Sequence, residues 1–366
     1  MNRSEFETHQ HYIRECLRLA DQGRGSVSPN PMVGSILVRN REVLSTGFHE
    51  RLGENHAERN ALRNPPTPND LQGTTLYVNL EPCSHHGRTP PCVERIIECQ
   101  IPTVVYGMED PNPQVCGRGV RALQEAGVQV IGPIAEDLCR FFNRRFVTFQ
   151  RADRPYVIFK WAQTADGFMA RKDKTQQWIS NVVSQELVHQ WRAFEDAILV
   201  GTNTAIFDNP RLTCRKVSGK NPIRVVLDRN QKVPLTHHLF DGEALTLIFV
   251  GKDIAKRRAI PADGVEAIRL DTTGSHQLVE LLSQLRMRGI QSLIVEGGPT
   301  LLRSFLEQGL WDEMRVFSSE IRFQEGIAAP ELSQLTPFSE KTIGSNNTLS
   351  LYFSSDPPKE MCDWML

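Results

Sequence analysis

Nowhere in the 366 residues do eighteen apolar residues run together, so the sequence offers no transmembrane helix. The first twenty residues, Met1 to Ala20, are charged and polar and lack the apolar core of a signal peptide. Charge of one sign is also missing: 42 basic against 43 acidic residues leave a formal charge of −1, with no global electrostatic reason to expect nucleic acid or a membrane as partner. Aromatic residues make up only 7%, which argues against a stacking surface for single-stranded RNA. There is no internal repeat and no low-complexity tract. Eight cysteines are scattered at positions 16, 83, 92, 99, 116, 139, 214 and 362 rather than clustered. In a long chain without a secretion signal they read as thiols, not as a disulfide framework, and place the protein in the cytoplasm.

What remains is an ordinary globular composition, 40% hydrophobic and 23% charged, in a chain too long for one core. Ile13, Cys16, Leu17 and Ala20 fall at helical spacing and predict an opening helix that stops in Gly23-Arg24-Gly25. Val33 to Val38 and Val43 to Phe48 predict a hairpin about Arg39-Asn40-Arg41. A helix near His56, a strand from Thr74 to Leu80, a helix entered through Thr89-Pro90-Pro91, a strand from Thr103, a helix at Val120 to Ala126 and a short strand at Val128 to Ile131 follow. This alternation predicts a three-layer α/β domain. Ala135 to Gln150 reads as helix, and Arg151-Ala152-Asp153-Arg154-Pro155 breaks it, which sets domains at 1–150 and 151–366. The second half alternates again. Strands are expected at 156–161, 197–201, 223–227, 245–250, 292–296, 315–318 and 349–353, and helices at 184–194, 276–288 and 300–308.

One constellation carries chemistry. His56-Ala57-Glu58 is followed by Pro82-Cys83 and then Cys92. One imidazole and two thiolates are the ligand set of a three-ligand zinc site whose fourth position stays open to water. Glu58, two residues beyond the histidine, is placed to move protons without occupying the metal. Zinc deaminases of nucleobases use H-x-E … P-C-x-x-C. Here eight residues, Ser84 to Pro91, separate the cysteines instead of two. A structural zinc is the competing reading, since His85 or His86 could supply a fourth ligand, and spacing alone leaves that open.

His56-Ala57-Glu58, the run Glu81 to Cys92, Asp110-Pro111-Asn112-Pro113 and the loop Ser28-Pro29-Asn30-Pro31-Met32-Val33-Gly34 together resemble the bifunctional deaminase/reductase family of riboflavin biosynthesis. The resemblance spans about residues 8 to 320. It implies an N-terminal cytidine-deaminase-like α/β/α domain with one Zn2+ per chain, held by His56, Cys83 and Cys92 with Glu58 catalytic. It also implies that Asn30, His49, Arg88 and Asp110 contact an aminopyrimidine or its ribose phosphate. Arg88 suits phosphate on chemical grounds, because guanidinium binds it bidentately.

The second half has Val295-Glu296-Gly297-Gly298-Pro299-Thr300, whose glycine pair permits close backbone approach at a helix start. With Lys160, Asp166-Gly167, Trp178-Ile179-Ser180 and Asn209 to Thr213 it resembles the same family's reductase domain, which implies a dihydrofolate-reductase-like α/β fold and NADPH. By that resemblance Ala162, Trp178, Thr204, Asp208, Arg229, Gly298, Pro299, Thr300, Leu301, Leu302, Arg303 and Ser304 line the cofactor. Gln176, Arg192, Leu212, Arg215 and Glu296 face the substrate. The chain departs from the family's usual pattern at Thr164-Ala165-Asp166-Gly167-Phe168, at Gln176, and at Arg229, which replaces a serine-like residue. The resemblance implies a small-molecule substrate, neither nucleic acid nor membrane as partner, and a homo-oligomer, a dimer in particular. A nucleic-acid-editing deaminase with an RNA-binding second domain and a non-enzymatic zinc-stabilised binding protein are the alternatives.

Overall fold

A computed structural model describes residues 2–64, 71–113, 115–173, 175, 177–252 and 263–358. The chain divides after Ala152 into two compact units.

In the first unit, α1 (Arg3–Asp21) opens with a capping box between Asn2 and Glu5 and buries Tyr12, Ile13, Cys16, Leu17 and Ala20. Its inner face lies against β1 (Gly34–Arg39) so closely that a Cβ on Gly34 would stand 2.0 Å from the Cys16 carbonyl oxygen. β1 turns into β2 (Glu42–Phe48) through Asn40 and Arg41, both at positive φ, as a tight hairpin requires. Then come α2 (Ala57–Ala61), β3 (Thr74–Val78), α3 (Cys92–Glu98), β4 (Thr103–Tyr106), α4 (Arg118–Glu125) and β5 (Gln129–Ile131). The sheet runs β2-β1-β3-β4-β5, antiparallel on one side of β3 and parallel on the other. The segment expected as one helix from Ala135 to Gln150 is two, α5 (Glu136–Phe142) and α6 (Arg144–Arg151), interrupted at Asn143, whose side chain is engaged elsewhere.

In the second unit the order is β6 (Tyr156–Gln163), β7 (Phe168–Ala170), α7 (Val182–Phe194), β8 (Ala197–Gly201), α8 (Thr202–Asp208), β9 (Ile223–Leu227), β10 (Thr246–Gly251), β11 (Val265–Leu270), α9 (His276–Met287), β12 (Ser292–Val295), α10 (Pro299–Glu307), β13 (Glu313–Ser319), β14 (Ile327–Ala328), β15 (Ser339–Ile343) and β16 (Asn347–Phe353). Nine strands form one sheet, β11-β10-β9-β8-β12-β6-β13-β16-β15, parallel from β11 to β13 and closed by two antiparallel strands. Its central strands are apolar on both faces. Leu199, Val225 and Phe249 pack with α9 and α10, while Val200, Val226 and Ile248 pack with α7 and α8. Strands covered on both sides read as continuous hydrophobic runs, which is why these were visible in the sequence.

Candidate metal centre and carboxyl-end cleft

His56 is the N-cap residue of α2, in extended conformation, so its ring stands at the helix entrance while Glu58 enters the first turn and is only 3% exposed. Gly47 of β2 lets α2 come close, since a Cβ there would lie 2.3 Å from the Ala61 nitrogen. Cys83 follows the end of β3, and Cys92 is the first residue of α3. His56 Nδ1 lies 3.4 Å from Cys83 Sγ and 3.4 Å from Cys92 Sγ, and the three donor atoms fall within 4.8 Å of one another. Metal–nitrogen and metal–sulfur bonds of about 2.0 and 2.3 Å at tetrahedral angles put nitrogen and sulfur about 3.5 Å apart, so the donor set fits a zinc ion. The thiols make the same point. Cys83 is drawn down to about 4 by its hydrogen bonds with Cys92 and His56, while Cys92 is pushed up by the Cys83 sulfur and by burial. A cation bound between the two sulfurs would displace the proton left on Cys92 and hold both as thiolates.

His56 Nε2 faces Thr89 Oγ1 at 3.4 Å, a partner that fixes the ring for coordination through Nδ1. Thr89 belongs to the insert between the cysteines, which Arg59 of α2 ties down through the Pro90 and Pro91 carbonyls at 3.0 and 3.1 Å. His86 pairs instead with Glu94 at 3.2 Å, and neither His85 nor His86 joins the donor group among the described residues. The set has three protein ligands there. Burial and the Cys83 sulfur raise the Glu58 carboxyl above its ordinary value.

Around this centre Asn30 Nδ2 meets His49 Nε2 at 3.0 Å, and His49 Nδ1 meets the Asn55 carbonyl at 3.0 Å. Burial lowers the His49 pKa and keeps the ring neutral, with its edge toward His56 at 5.4 Å between centroids. Asp110, buried, has its carboxyl raised by burial and by neighbouring Glu81, and accepts from the Asn112 amide at 2.8 Å. Arg88 is exposed, and a Cβ on Gly53 would come 3.8 Å from its Nη1. Sequence reasoning missed the role of Glu81. Its buried carboxylate accepts from the amides of Asp110, Gly117, Gly119 and Val120 at 2.9 to 3.3 Å, so it holds the Asp110 loop to the entrance of α4.

The second unit has a cleft of about 710 Å³ at the carboxyl ends of β6, β8, β9 and β12, the usual ligand position in an open α/β sheet. Ala162, Trp178, Thr204, Asp208, Arg229, Gly298, Pro299, Thr300, Leu301, Ser304 and Glu296 line it. Trp178 is 67% exposed and Phe207 55%, two aromatic faces at its mouth. Gly298 is the N-cap of α10, with Pro299 in its first turn, and its amide donates to Thr204 Oγ1 at 3.0 Å. A Cβ on Gly297 would lie 2.6 Å from Leu301, so only glycine gives this close backbone. The narrow glycine turn at a helix entrance beside exposed aromatic rings suits a dinucleotide.

Two expected side chains point elsewhere. Leu302 is fully buried in the core beneath α10, and Leu212 is 2% exposed in the core on the opposite face of the sheet, so neither presents its side chain to the cleft. The exposed Arg303 reaches the Ala328 carbonyl at 3.5 Å. Gln176 lies outside the described residues.

Glu296 organises the floor. Its Oε2 takes Arg192 Nη2 at 2.9 Å and Lys160 Nζ at 3.5 Å. Burial alone would raise this carboxyl, but the two cations hold it at about 2. Burial lowers the Lys160 ammonium pKa in turn. Glu296 Oε1 and Arg192 Nε are buried with no partner among the described residues, and neither Arg192 nor Arg215 is among the residues that line the cleft. Arg215 donates from Nη1 to Thr213 Oγ1 at 2.8 Å, and its backbone amide donates to His189 Nδ1 at 3.0 Å. Lys160, named in the sequence only as one residue of a motif, lines this cleft. So does the flap of β7 and β14, tethered by Asp166, whose carboxylate accepts from Thr164 Oγ1 at 2.6 Å and from the Phe323 and Gln324 amides.

Residues 6–108 match the family model of the cytidine and deoxycytidylate deaminase zinc-binding region, and residues 155–321 match that of the RibD C-terminal domain. The riboflavin biosynthesis protein RibD of Aquifex aeolicus is 38% identical over 328 residues, which cover 89% of this chain and 91% of that protein. The RibD of Escherichia coli is 35% identical over 325 residues, covering 84% and 86%. Among solved structures, the diaminohydroxyphosphoribosylaminopyrimidine deaminase/5-amino-6-(5-phosphoribosylamino)uracil reductase of Thermotoga maritima superposes with a TM-score of 0.83 at 34% identity, covering 95% of this chain and 99% of that one. RibD of Acinetobacter baumannii superposes with a TM-score of 0.86 at 31% identity, covering 96% and 100%.

Proposed function

The chain belongs to the RibD family of riboflavin biosynthesis, with a cytidine-deaminase-like N-terminal domain and a RibD reductase domain, and from that membership we propose how its residues divide the two reactions, domain 1–150 deaminating and domain 151–366 reducing. It is a bifunctional deaminase and reductase using zinc and NADPH. The substrate is the 2,5-diamino-6-ribosylamino-pyrimidinone phosphate, deaminated first and reduced second, as the name of the Thermotoga maritima relative implies. The observation that carries the reading is the three-donor set of His56, Cys83 and Cys92 with buried Glu58 beside it.

A zinc ion held by His56, Cys83 and Cys92 would lower the pKa of a bound water to about 7 and so supply a nucleophile at neutral pH. Glu58 takes one proton from the water and gives it to the ring nitrogen as oxygen adds to the amine-bearing carbon, then takes the second from the added hydroxyl and gives it to the amine, so that the C–N bond breaks, ammonia leaves and a carbonyl remains, a task its raised pKa suits. Asn30, bonded to neutral His49, and buried Asp110 hold the pyrimidine, and Arg88 meets the phosphate.

In the cleft NADPH supplies the hydride. Gly298 to Leu301, Ser304, Thr204, Asp208, Ala162, Trp178 and Arg229, which line it, hold the cofactor, and Arg192, paired with Glu296 behind the lining, and Arg215 hold the sugar phosphate. Lys160 gives a proton to the ribose ring oxygen as hydride reaches the neighbouring carbon and the ring opens to a ribityl chain. Burial makes its ammonium a readier donor, and Glu296 holds it in place.

A nucleic-acid-editing role finds no support in this membership. No helix among the described residues is long and apolar enough to cross a membrane. We place the enzyme in the cytoplasm as a homodimer, with light scattering as the check on assembly. The deciding experiment supplies the diaminopyrimidinone ribose phosphate with and without NADPH and follows ammonia and NADPH absorbance together. Ammonia release without NADPH, and NADPH consumption only after deamination, is the expected result. Consumption of NADPH before any ammonia appears would reverse the order.

A further inference from the structure

Asn143 interrupts what would otherwise be one helix, with φ −93° and ψ 24° between α5 and α6. Its side chain is 2% exposed and reaches back 111 residues in sequence to Met32. Oδ1 accepts from the Met32 amide at 2.9 Å, and Nδ2 donates to the Met32 carbonyl at 3.0 Å. A second asparagine, fully buried Asn79 at the end of β3, completes the arrangement. Its Nδ2 donates to the same Met32 carbonyl at 3.1 Å, and its Oδ1 accepts from the Gly34 amide at 2.8 Å. Two side-chain amides therefore satisfy both backbone groups of Met32 and the amide of Gly34.

Asparagine is a weak helix former, and a better one at position 143 would let α5 and α6 run together. What the break obtains is a fixed position for the loop 28–34, which carries Asn30 two residues before the clamped Met32. Nδ2 of Asn30 gives one of its two hydrogens to His49 Nε2 at 3.0 Å, which orients the amide and leaves its Oδ1 as the acceptor for a ligand. A displacement of this loop moves that acceptor and the His49 contact together. Asn79 stands four residues before Cys83, so the two asparagines tie the loop from the metal side and from the helix side.

We infer that Asn143 is a positioning residue of the deaminase, whose two-point amide clamp on Met32 sets Asn30 for the pyrimidine. The inference rests on the reading of Asn30 as a pyrimidine contact, and the experiment separates the two. Asn143→Ala, Asn30→Ala and the double variant are made in the full, zinc-loaded chain. Ammonia kinetics, zinc per chain and NADPH oxidation on the deaminated product are measured for each.

The clamp predicts that Asn143→Ala raises KM for ammonia release about tenfold, the size of coupling usual within one hydrogen-bond network. It predicts kcat within about twofold, with zinc content and NADPH oxidation unchanged. The double variant should show a KM no higher than Asn30→Ala alone. A normal KM in Asn143→Ala alongside a raised one in Asn30→Ala overturns the clamp and leaves the pyrimidine reading standing. A normal KM in Asn30→Ala overturns both. Multiplying effects in the double variant, or loss of zinc and kcat at unchanged KM, show a role that does not act through Asn30 and likewise overturn it. Should Asn143→Ala fail to accumulate, Asn143→Gln, with both amide groups on a longer arm, runs through the same cycle with the same criteria.

Discussion

Glu58 and Glu296 are both buried carboxyls, yet their surroundings push them in opposite directions. Glu58 faces a thiol and no cation of the chain strong enough to offset burial, so it is raised. Replacing it with glutamine keeps the shape and removes the proton carrier. Glu58→Gln should retain one zinc per chain, by metal analysis, while ammonia release falls by about 10²- to 10⁴-fold. Glu296 is held at about 2 against an ordinary 4.5 because Arg192 and Lys160 outweigh its burial. A depressed pKa means the fold stabilises the ionised form. That contribution is complete above the ordinary value and is lost as pH falls from there through the folded value. Wild type should therefore be more stable than Glu296→Gln near neutrality, with the gap closing between about pH 4.5 and 2, as denaturant midpoints across that range would register. His56, Cys83, Cys92 and Glu58 were legible from spacing, because metal ligation needs particular atoms at short loop distances. Lys160, Glu81 and Asn143 were not, because their partners lie far away in sequence and, for the last two, are backbone amides that any residue supplies.

Among the elements, α4 is the one whose position the metal centre feels. A Cβ on Gly119 would stand 1.9 Å from the Pro82 carbonyl oxygen, immediately before Cys83. Backbone on both sides leaves no flexible atom to yield. Gly119→Ala should cost about 1–3 kcal/mol in the first unit and weaken zinc retention about 10- to 100-fold, as thermal melts and chelator competition would report. Most elements read from sequence carry a full apolar stripe or are doubly covered strands, with β2 and β5 found instead from the hairpin and from the alternation around them. Those missed were amphipathic or short. β15, Ser339 to Thr342, is exposed and polar at the sheet edge, β11 alternates charged with apolar residues, and α8 buries only Ala205. From Gly326 onward only the strand at 349–353 was visible, because its Leu349 and Leu351 enter the core, whereas β15 buries only Ile343.

At the scale of the molecule, each unit has its own sheet and its own core. The metal ligands all lie in one and the cleft residues in the other. Chelation should abolish ammonia release while NADPH oxidation on supplied deaminated product continues, followed in a single dialysed sample before and after zinc is restored. Loss of both activities on chelation would mean that zinc supports the second unit as well. The near-zero net charge is consistent with small-molecule sites that do not depend on a field over the whole surface.

The glycines at 117 and 119, at the mouth of a helix, have the outward form of a phosphate loop. The amides they would offer are already taken, because the Glu81 carboxylate sits among them as an internal guest. The protein has in effect furnished that cradle with its own side chain and closed it to any other acceptor. A ligand anion in the first unit would have to be met elsewhere than at these amides, whose seat is already filled.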